Sequence, residues 1–238
     1  MTTDSISTIP GKSNAFHPIS ASSLAEIRSI VSESYLLTDE TVLREHGHDE
    51  TEDLVYLPEA VAIPASTEEI SAIMKICYRE RIPVTVRGGG SGLAGGALPI
   101  RGGLIISMKR FDQILFIDER NFQVTTQPGV VTETLQNTLK EKGLFYPPDP
   151  SSRGWSFIGG NISTNAGGPK AVKYGVVKDH VLNLQVVLPN GDIIWTGANT
   201  LKNSTGYNLT QLLVDSEGTL GIVTQIVLRL QPYPTQNL

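Results

Sequence analysis

The sequence gathers small residues that expose the backbone into four short segments, and the first chemistry they suggest is anion binding by the main chain. The first segment follows the strand-like run IPVTV and extends from Arg87 to Gly96 as RGGGSGLAGG. Successive glycines have no Cβ, so their N–H groups can turn inward and surround an anion such as a pyrophosphate without any lysine. The alternative is that these glycines only form a tight connection between two strands.

Two familiar phosphate-binding motifs are disfavoured by the residues around the glycines. Gly90, Gly92 and Gly95 satisfy G-x-G-x-x-G, but the dinucleotide fingerprint requires a helix directly after the loop. The following residues, ALPIRGG, include a proline and predict no helix. Near the N-terminus, Gly11-Lys12-Ser13 lacks the earlier glycine of a Walker motif, because Ile6 stands at that position.

The other three segments lie further along the chain and have the same character. They read YPPDPSS over residues 146–152, IGGNISTNAGG over 158–168, and SEGTLGIV over 216–223. Prolines fix a rigid wall, and small residues leave room for a broad, flat ligand against the main chain. A carboxylate among glycines, such as Glu217, can cap a loop or accept hydrogen bonds from ligand hydroxyls. Taken singly, each segment is also typical of a turn.

The remaining residues that could do chemistry give no catalytic or metal-binding pattern. The four histidines are His17, His46, His48 and His180, and none is paired with a second ligand at helical metal spacing. Cys77 falls on the apolar face of a predicted helix, which favours a core thiol over a redox-active one. The sequence therefore assigns no catalytic residue and no metal ligand.

Composition excludes several classes of protein. The chain has 238 residues, enough for one large domain or two small ones, and a net charge of −5. No apolar run approaches the roughly 18 to 20 residues that cross a bilayer, and the acidic balance disfavours a nucleic-acid partner. The start MTTDSISTIP has neither the basic nor the apolar stretch of a secretory signal. The cytoplasm is the expected location.

The elements before the glycines predict a small β-α-β lobe. Residues 1–21 are polar and predict a flexible leader, after which Ser23 and Glu26 suggest a capping box at the start of a helix. Residues 58–86 then predict strand, helix and strand, with Ser66 and Glu69 as a second capping box. We expect this first lobe to span residues 22–91.

The elements after the glycines predict a larger, mainly antiparallel lobe over residues 92–238. The runs 103–108, 113–118 and 122–127 favour an antiparallel set. A helix capped by Thr132 and ended by Gly143 follows, then a hairpin turn at Asn190-Gly191, and a last strand over 220–230. The predicted fold class is α+β.

Taken together, the motifs resemble one family. RGGGSGLAGGALP, YPPDPSS, IGGNISTNAGG, KYGVV, GYNLTQL and SEGTLGIVT, in this order and spacing, are similar to the FAD-binding domain of vanillyl-alcohol oxidase / p-cresol methylhydroxylase (PCMH) type flavoproteins. Within that group they look most like the glycolate oxidase FAD subunit and the D-lactate and D-2-hydroxyglutarate dehydrogenases. The resemblance covers residues 59–234 and implies a two-subdomain PCMH-type FAD-binding fold, with FAD extended between the two lobes.

The resemblance also implies the residues that would contact FAD. Within the four segments, Arg87 to Leu93 would wrap the pyrophosphate. Pro148 to Ser151 and Gly159 to Gly168 would line the isoalloxazine and ribityl region, and Glu217 to Val223 would meet the ribose and adenine. The implied cofactor-binding residues are Arg87, Gly88, Gly89, Gly90, Ser91, Gly92, Leu93, Pro148, Asp149, Ser151, Gly159, Gly160, Ser163, Thr164, Asn165, Gly167, Gly168, Glu217, Gly218, Gly221, Ile222 and Val223.

Two positions depart from the family pattern. Some relatives attach flavin through a histidine in the first segment, but here Ser91 takes that place, which implies that FAD is held non-covalently. Relatives usually have glycine before Ser-Glu-Gly, where this chain has Asp215. A side chain at Asp215 would crowd the turn, and its charge would repel a nearby diphosphate.

The resemblance implies the FAD-binding portion of an oxidoreductase that oxidises a 2-hydroxy acid, such as glycolate or D-lactate, by hydride transfer to FAD. Relatives continue into a C-terminal cap domain, which we expect this chain to lack. The alternatives are a non-catalytic flavin-binding subunit or truncated product that needs a partner chain, and a domain that has lost FAD. A partner subunit, or self-association through the uncapped flavin face, is expected. An electron-accepting partner would place the protein peripherally at a membrane.

Overall fold

The computed structural model describes residues 16–234 as two packed lobes, each with its own sheet. Residues 1–15, most of the expected leader, lie outside the described residues. None of the helices within residues 16–234 is long and apolar enough to span a membrane.

The first sheet contains the predicted β-α-β unit. Strands β2 (Ala60–Ala62), β3 (Val84–Arg87) and β4 (Leu104–Ser107) run parallel, and β1 (Leu36–Leu37) pairs antiparallel with β2, in the order β1-β2-β4-β3. Helix α3 (Thr67–Glu80) connects β2 to β3, and α1 (Ala21–Val31) packs against α3. Helix α2 (Glu40–His46) lies between β1 and β2 in the sequence.

The prediction that residues 103–108 belong to the antiparallel set is wrong. Strand β4 lies between β2 and β3, parallel to both, so the first sheet takes a strand from beyond Ser91. All four residues of β4 are buried. A short, continuous apolar run is typical of a central parallel strand, but the sequence does not show which strands it pairs with.

The second sheet is antiparallel throughout. Its order is β5-β6-β10-β8-β9, formed by β5 (Ile114–Asp118), β6 (Gln123–Thr126), β8 (Val181–Val187), β9 (Ile193–Trp195) and β10 (Ile222–Arg229). The predicted hairpin turn is confirmed: it joins β8 to β9, and Gly191 has φ +87°. A two-stranded ribbon pairs β7 (Leu144–Phe145) with β11 (Gln231–Pro232).

Short helices link these strands. They are α4 (Thr132–Lys140), α5 (Ile158–Ser163), α6 (Ala171–Tyr174) and α7 (Leu209–Leu213), and single 3-10 turns occur at Glu33–Tyr35 and Val177–Asp179. The segment 158–163, predicted from its glycines as open backbone, is helical. Ile158 and Ile162 lie one turn apart and are both fully buried, so packing overrides the low helix propensity of the two glycines between them.

Helix capping agrees with the sequence at one of three predicted positions. The Ser66 side chain accepts a hydrogen bond from the Glu69 N–H, as predicted. The predicted cap Ser23 is wrong, because the Ser20 hydroxyl accepts from the Ser23 N–H and the helix begins earlier. The predicted cap Thr132 is also wrong: Val131 is the N-cap, and the Thr132 hydroxyl donates instead to the Ser156 carbonyl at 3.1 Å.

Helix α3 ties the two lobes together. Its Ser71 hydroxyl donates to the Gly191 carbonyl at 2.6 Å, in the hairpin of the second sheet. Val187 and Ile222, from β8 and β10, are buried in the same apolar cluster as α3. This contact is both apolar and hydrogen-bonded, so it fixes the position of the second sheet relative to α3. The cleft lies beside this contact.

Candidate anion-binding cleft

A cleft lies where the four glycine- and proline-rich segments meet. One wall is the loop that follows β3, and the opposite wall combines α5 with the turn that leads into β10. The lining residues are Val86, Gly88, Gly89, Gly90, Ser91, Gly92, Leu93, Ala94, Gly96, Ala97, Met108, Pro128, Pro150, Ser152, Phe157, Gly159, Gly160, Asn161, Ser163, Thr164, Ala166, Glu217, Gly218, Gly221, Ile222 and Val223. All four segments therefore contribute to one site.

Most of the residues that the motifs single out line this cleft, but seven do not. The seven outside the lining are Arg87, Pro148, Asp149, Ser151, Asn165, Gly167 and Gly168. Pro150 and Ser152 line it in place of their neighbours in the YPPDPSS segment. In this extended segment neighbouring residues face different ways, so the motif locates the wall but does not determine which side chains face the cleft.

The loop of residues 88–94, which we call the glycine loop, offers its main chain to the cleft. Within the described part of the chain, none of its backbone N–H groups has a hydrogen-bond acceptor. Buried or half-buried N–H groups are nearly always paired with protein, water or ligand. A run of unpaired donors at the rim of a cleft is therefore a ready site for an anion.

Two glycines in this loop are required by local geometry. Gly90 has φ +74°, and a Cβ there would collide with the Arg87 guanidinium beneath it. A Cβ on Gly89 would lie only 2.5 Å from the Trp155 carbonyl oxygen. The glycines thus let the loop pass close over Arg87 and against the opposite segment, which a larger residue would prevent.

Arg87 supports the glycine loop from behind. Its Nη1 donates to the His48 carbonyl at 2.7 Å and to the His46 carbonyl at 3.4 Å. Burial lowers the pKa of the Arg87 guanidinium, and the negative charge of Asp49 opposes that effect. The side chain therefore does not reach into the cleft.

The cleft lining carries a single charged side chain among the described residues, and that charge is negative. Glu217 lies in the turn before β10, in the left-handed region at φ +50°. Its Oε2 is 3.3 Å from the position that a Cβ on Gly96 would take, so its carboxylate lies directly against the Gly96 backbone. No Lys or Arg side chain is among these lining residues. An anion here would have to be held by neutral donors, which are the main-chain N–H groups and lining hydroxyls such as that of Ser91.

Helix α5 forms the opposite wall and leaves open space before it. The Gly159 N–H donates to the Pro128 carbonyl at 2.8 Å, and a Cβ on Gly159 would be 2.5 Å from the Pro128 Cβ. Gly160 differs, because a Cβ there would meet nothing within 4 Å. Gly160 therefore faces the empty part of the cleft, where a planar group can approach the backbone.

Asp149 holds this wall together from outside the cleft. Its carboxylate is nearly buried and lies 3.0 Å from Arg153 Nη1 and 2.9 Å from Lys170 Nζ. Its N–H donates to the Gly167 carbonyl at 3.1 Å. Asp149 thus joins the YPPDPSS segment to the end of the IGGNISTNAGG segment. The sequence does not predict this ion pair.

The cleft continues into a second pocket along β3. The two share Val86, Gly218, Gly221 and Ile222, and the second pocket extends to Cys77 on α3. Burial raises the pKa of the Cys77 thiol to about 12, consistent with a core thiol. The two pockets therefore form continuous space on both sides of β3 and the turn before β10.

Several lining residues were missed by sequence reasoning. Met108 directly follows β4, and Phe157 directly precedes α5. Both are apolar residues that belong to none of the four glycine- and proline-rich segments. Pro128 lies in the Pro-Gly turn between β6 and α4. A Pro-Gly pair predicts a turn at this position, but it does not predict that the turn reaches the cleft. Within residues 16–234 no group of three or more His, Cys, Asp and Glu residues is placed to hold a metal ion.

Comparison with known proteins gives a consistent family assignment. Residues 58–197 match the family model described as the FAD binding domain. The chain is 50% identical over 189 residues to the glycolate oxidase subunit GlcD of Bacillus subtilis, covering 79% of this chain and 40% of that protein. It is 40% identical over 222 residues to the D-lactate dehydrogenase of Anaerostipes hadrus, covering 92% and 46% respectively. The chain spans less than half the length of these two curated relatives.

A solved structure shares the architecture. The structure of p-cresol methylhydroxylase with substrate bound matches 90% of this chain and 44% of its own, with a TM-score of 0.76 at 21% identity. At that identity the likeness shows the fold. The predicted α+β, PCMH-type FAD-binding fold with a small β-α-β lobe and a larger antiparallel lobe is confirmed.

Proposed function

Because the chain belongs to the FAD-binding domain family, we propose that it is the flavin-holding portion of an oxidoreductase that oxidises a 2-hydroxy acid of the glycolate or D-lactate type. One observation carries the proposal: unpaired N–H groups of the glycine loop line a cleft that holds no cation among its described lining residues. When bound, FAD supplies an isoalloxazine ring that accepts a hydride. The relatives named as glycolate oxidase and D-lactate dehydrogenase support the substrate class.

The residues of the cleft fit the parts of FAD in a definite order. The glycine loop would hold the pyrophosphate, since its main-chain donors are free and its glycines leave no side chain in the way. The open space before Gly160, with Pro150 beside it, would take the flat ring. Glu217 would accept hydrogen bonds from ribose hydroxyls, and the second pocket would take the adenine.

Binding would be non-covalent. Ser91 stands in the glycine loop at the place where some family members carry a flavin-linked histidine, and a serine hydroxyl offers no comparable nucleophile. Denaturation of the purified chain should therefore release all of its flavin, identified by mass as FAD. Flavin that stays with the precipitated protein would contradict this part of the proposal.

Binding of the substrate and of the electron acceptor requires residues other than those that line the cleft. Oxidation of a 2-hydroxy acid needs a base for the hydroxyl proton and a cation for the carboxylate. Neither is among the cleft-lining residues described. We propose that a partner chain, or self-association through the open flavin face, completes the site. The Bacillus subtilis relative is itself named as a subunit. A cytoplasmic location, peripheral at a membrane where the acceptor resides, fits this arrangement.

The decisive experiment is cofactor analysis of the purified chain, followed by an activity assay. A yellow protein that retains FAD supports the proposal, whereas a colourless one that takes up no added FAD favours a domain that has lost its cofactor. Turnover of glycolate and D-lactate with an artificial electron acceptor then separates a complete enzyme from a flavin-binding subunit. We expect FAD binding with little or no turnover. Robust turnover by the chain alone would refute the need for a partner.

A further inference from the structure

A short segment directly behind the glycine loop bonds to the loop itself and to the residues that flank it on either side, Arg87 and Gly95. This segment, residues 46–51, is called the support segment here. Its His48 carbonyl accepts from Arg87 at the start of the loop, and its Glu50 N–H donates to the Gly92 carbonyl at 3.1 Å. At the far end, the Gly95 N–H donates to the Thr51 hydroxyl oxygen at 2.8 Å.

Thr51 is the side chain that fixes the far end of the loop. Its own N–H donates to Asp49 Oδ1 at 2.9 Å, which sets the position of the Thr51 backbone. Asp49 is 8% exposed. Its second oxygen, Oδ2, has no partner within the described part of the chain, and a Cβ on Gly92 would lie 3.9 Å from it. The buried Asp49 carboxylate lies beside the loop and interacts with the half-buried charge of Arg87, which gives the support segment a defined conformation.

We propose that Thr51 is a positioning residue for the pyrophosphate of FAD. Its hydroxyl holds Gly95, so that the N–H groups of residues 88–94 stay turned toward the cleft before the cofactor arrives. Glycine-rich backbone has many accessible conformations, and binding is weakened in proportion to the fraction of molecules that are not arranged for it. This inference rests on the proposed placement of the pyrophosphate at the glycine loop.

The test compares a substitution that removes the Thr51 hydroxyl with one that keeps it. Thr51→Val keeps the size and β-branching but removes the acceptor, whereas Thr51→Ser keeps the hydroxyl. Thr138→Val is the matched control, because the Thr138 hydroxyl bonds only within the exposed face of α4, to the Thr134 carbonyl. The readouts are the dissociation constants of FAD and of ADP, a probe that carries the pyrophosphate without the flavin, and the thermal midpoint of the apoprotein.

We expect Thr51→Val to raise both dissociation constants by about three- to tenfold, the usual consequence of losing one hydrogen bond. Thr51→Ser should stay within about twofold of the unchanged protein, and so should Thr138→Val. If Thr51→Val does not fold, Thr51→Ala provides the same comparison with a smaller side chain.

Unchanged FAD and ADP affinities in Thr51→Val would overturn the inference. So would an equal loss in Thr51→Val and Thr51→Ser with matching falls in thermal midpoint, since that pattern reports general destabilisation. Failure of the unchanged chain to bind FAD or ADP would instead refute the proposed function itself, and the inference with it. The two failures are distinguished because the second appears before any substitution is made.

Discussion

The guanidinium of Arg87 donates a hydrogen bond of 2.7 Å from Nη1 to the backbone carbonyl of His48, behind the glycine loop. The motif had suggested Arg87 as one of the residues that wrap a pyrophosphate. Its charged group instead braces the loop, with Gly90 passing directly over it. The glycine loop therefore presents its main-chain donors to the cleft. The Arg87 guanidinium contributes by stabilising the conformation of the loop.

We expect Arg87→Met to destabilise the fold by about 1–3 kcal/mol, because the buried stem is kept while the His46 and His48 carbonyls lose their donor. FAD affinity should fall as well, since the loop loses its brace. Urea unfolding and FAD titration measure the two effects. Arg120→Met, at an exposed position, is the control and should change stability by less than about 0.5 kcal/mol. Equal behaviour of the two variants would contradict the bracing role.

Sequence reasoning succeeded where a local rule determines the local structure. The Ser66 cap and the apolar helix face that carries Cys77 predict α3, and Asn190-Gly191 predicts the hairpin, because capping and turn conformation depend on neighbouring residues. The meeting of the four segments in one cleft followed from the family motifs rather than from any local rule.

Sequence reasoning failed where the outcome depends on distant packing. The apolar run of β4 carries no information on which strand lies beside it. The directions of Arg87 and Asp149 depend on partners far away in the chain, at His48 and Lys170. The one-turn spacing of Ile158 and Ile162 is a helical pattern that favours α5. The two glycines between them favour open backbone, which is why the sequence does not predict a helix there.

Gly160 offers a substitution that separates folding from cofactor binding. A Cβ there meets no protein atom within 4 Å but occupies the open part of the cleft. Because alanine is the better helix former, Gly160→Ala should stabilise the apoprotein by up to about 1 kcal/mol while weakening FAD binding tenfold or more. Thermal unfolding and FAD titration test both claims. Gly154→Ala, whose Cβ would make only an ordinary 3.5 Å contact outside the cleft, is the control. Retained FAD affinity in Gly160→Ala would show that the ring lies elsewhere.

Glu217 allows a direct test of the ribose contact. If its carboxylate accepts hydrogen bonds from ribose hydroxyls, Glu217→Gln should raise the dissociation constants of FAD and ADP by about three- to tenfold, because an ionised acceptor makes the stronger bond. Glu119→Gln removes a charge at a surface position paired only with Lys142, and it serves as the control. Tighter FAD binding in Glu217→Gln would mean that the carboxylate only repels the diphosphate.

Asp215 occupies a backbone conformation that favours glycine. It adopts φ +69°, a conformation that glycine enters freely and that most other residues enter at a cost. Asp215→Gly should therefore stabilise the protein by about 0.5–1 kcal/mol, and Asp215→Ala should destabilise it, as measured by urea unfolding. The side chain is exposed and does not line the cleft. We accordingly expect the same FAD affinity in both variants, and tighter binding in Asp215→Gly would restore the idea of charge repulsion.

His180 links stability to pH. It is buried beneath the second sheet, with Nε2 3.0 Å from the Tyr174 carbonyl oxygen and the Tyr146 ring packed edge-on at 5.8 Å. Burial lowers the pKa of His180 below its ordinary value of 6.5. Below pH 6.5 the unfolded chain binds a proton that the folded chain does not. The stability is therefore fully present above that pH and declines as the pH falls toward the folded-state pKa.

We expect the free energy of unfolding to fall as the pH is lowered below about 6.5, by at most about 1.4 kcal/mol per pH unit for each histidine that titrates in this way. His46 contributes with the same sign, because burial also lowers its pKa. The buried position makes His180→Gln less stable at every pH, so the quantity to compare is the slope of stability against pH. His180→Gln should reduce that slope. An identical slope in His180→Gln would show that another group carries the pH dependence.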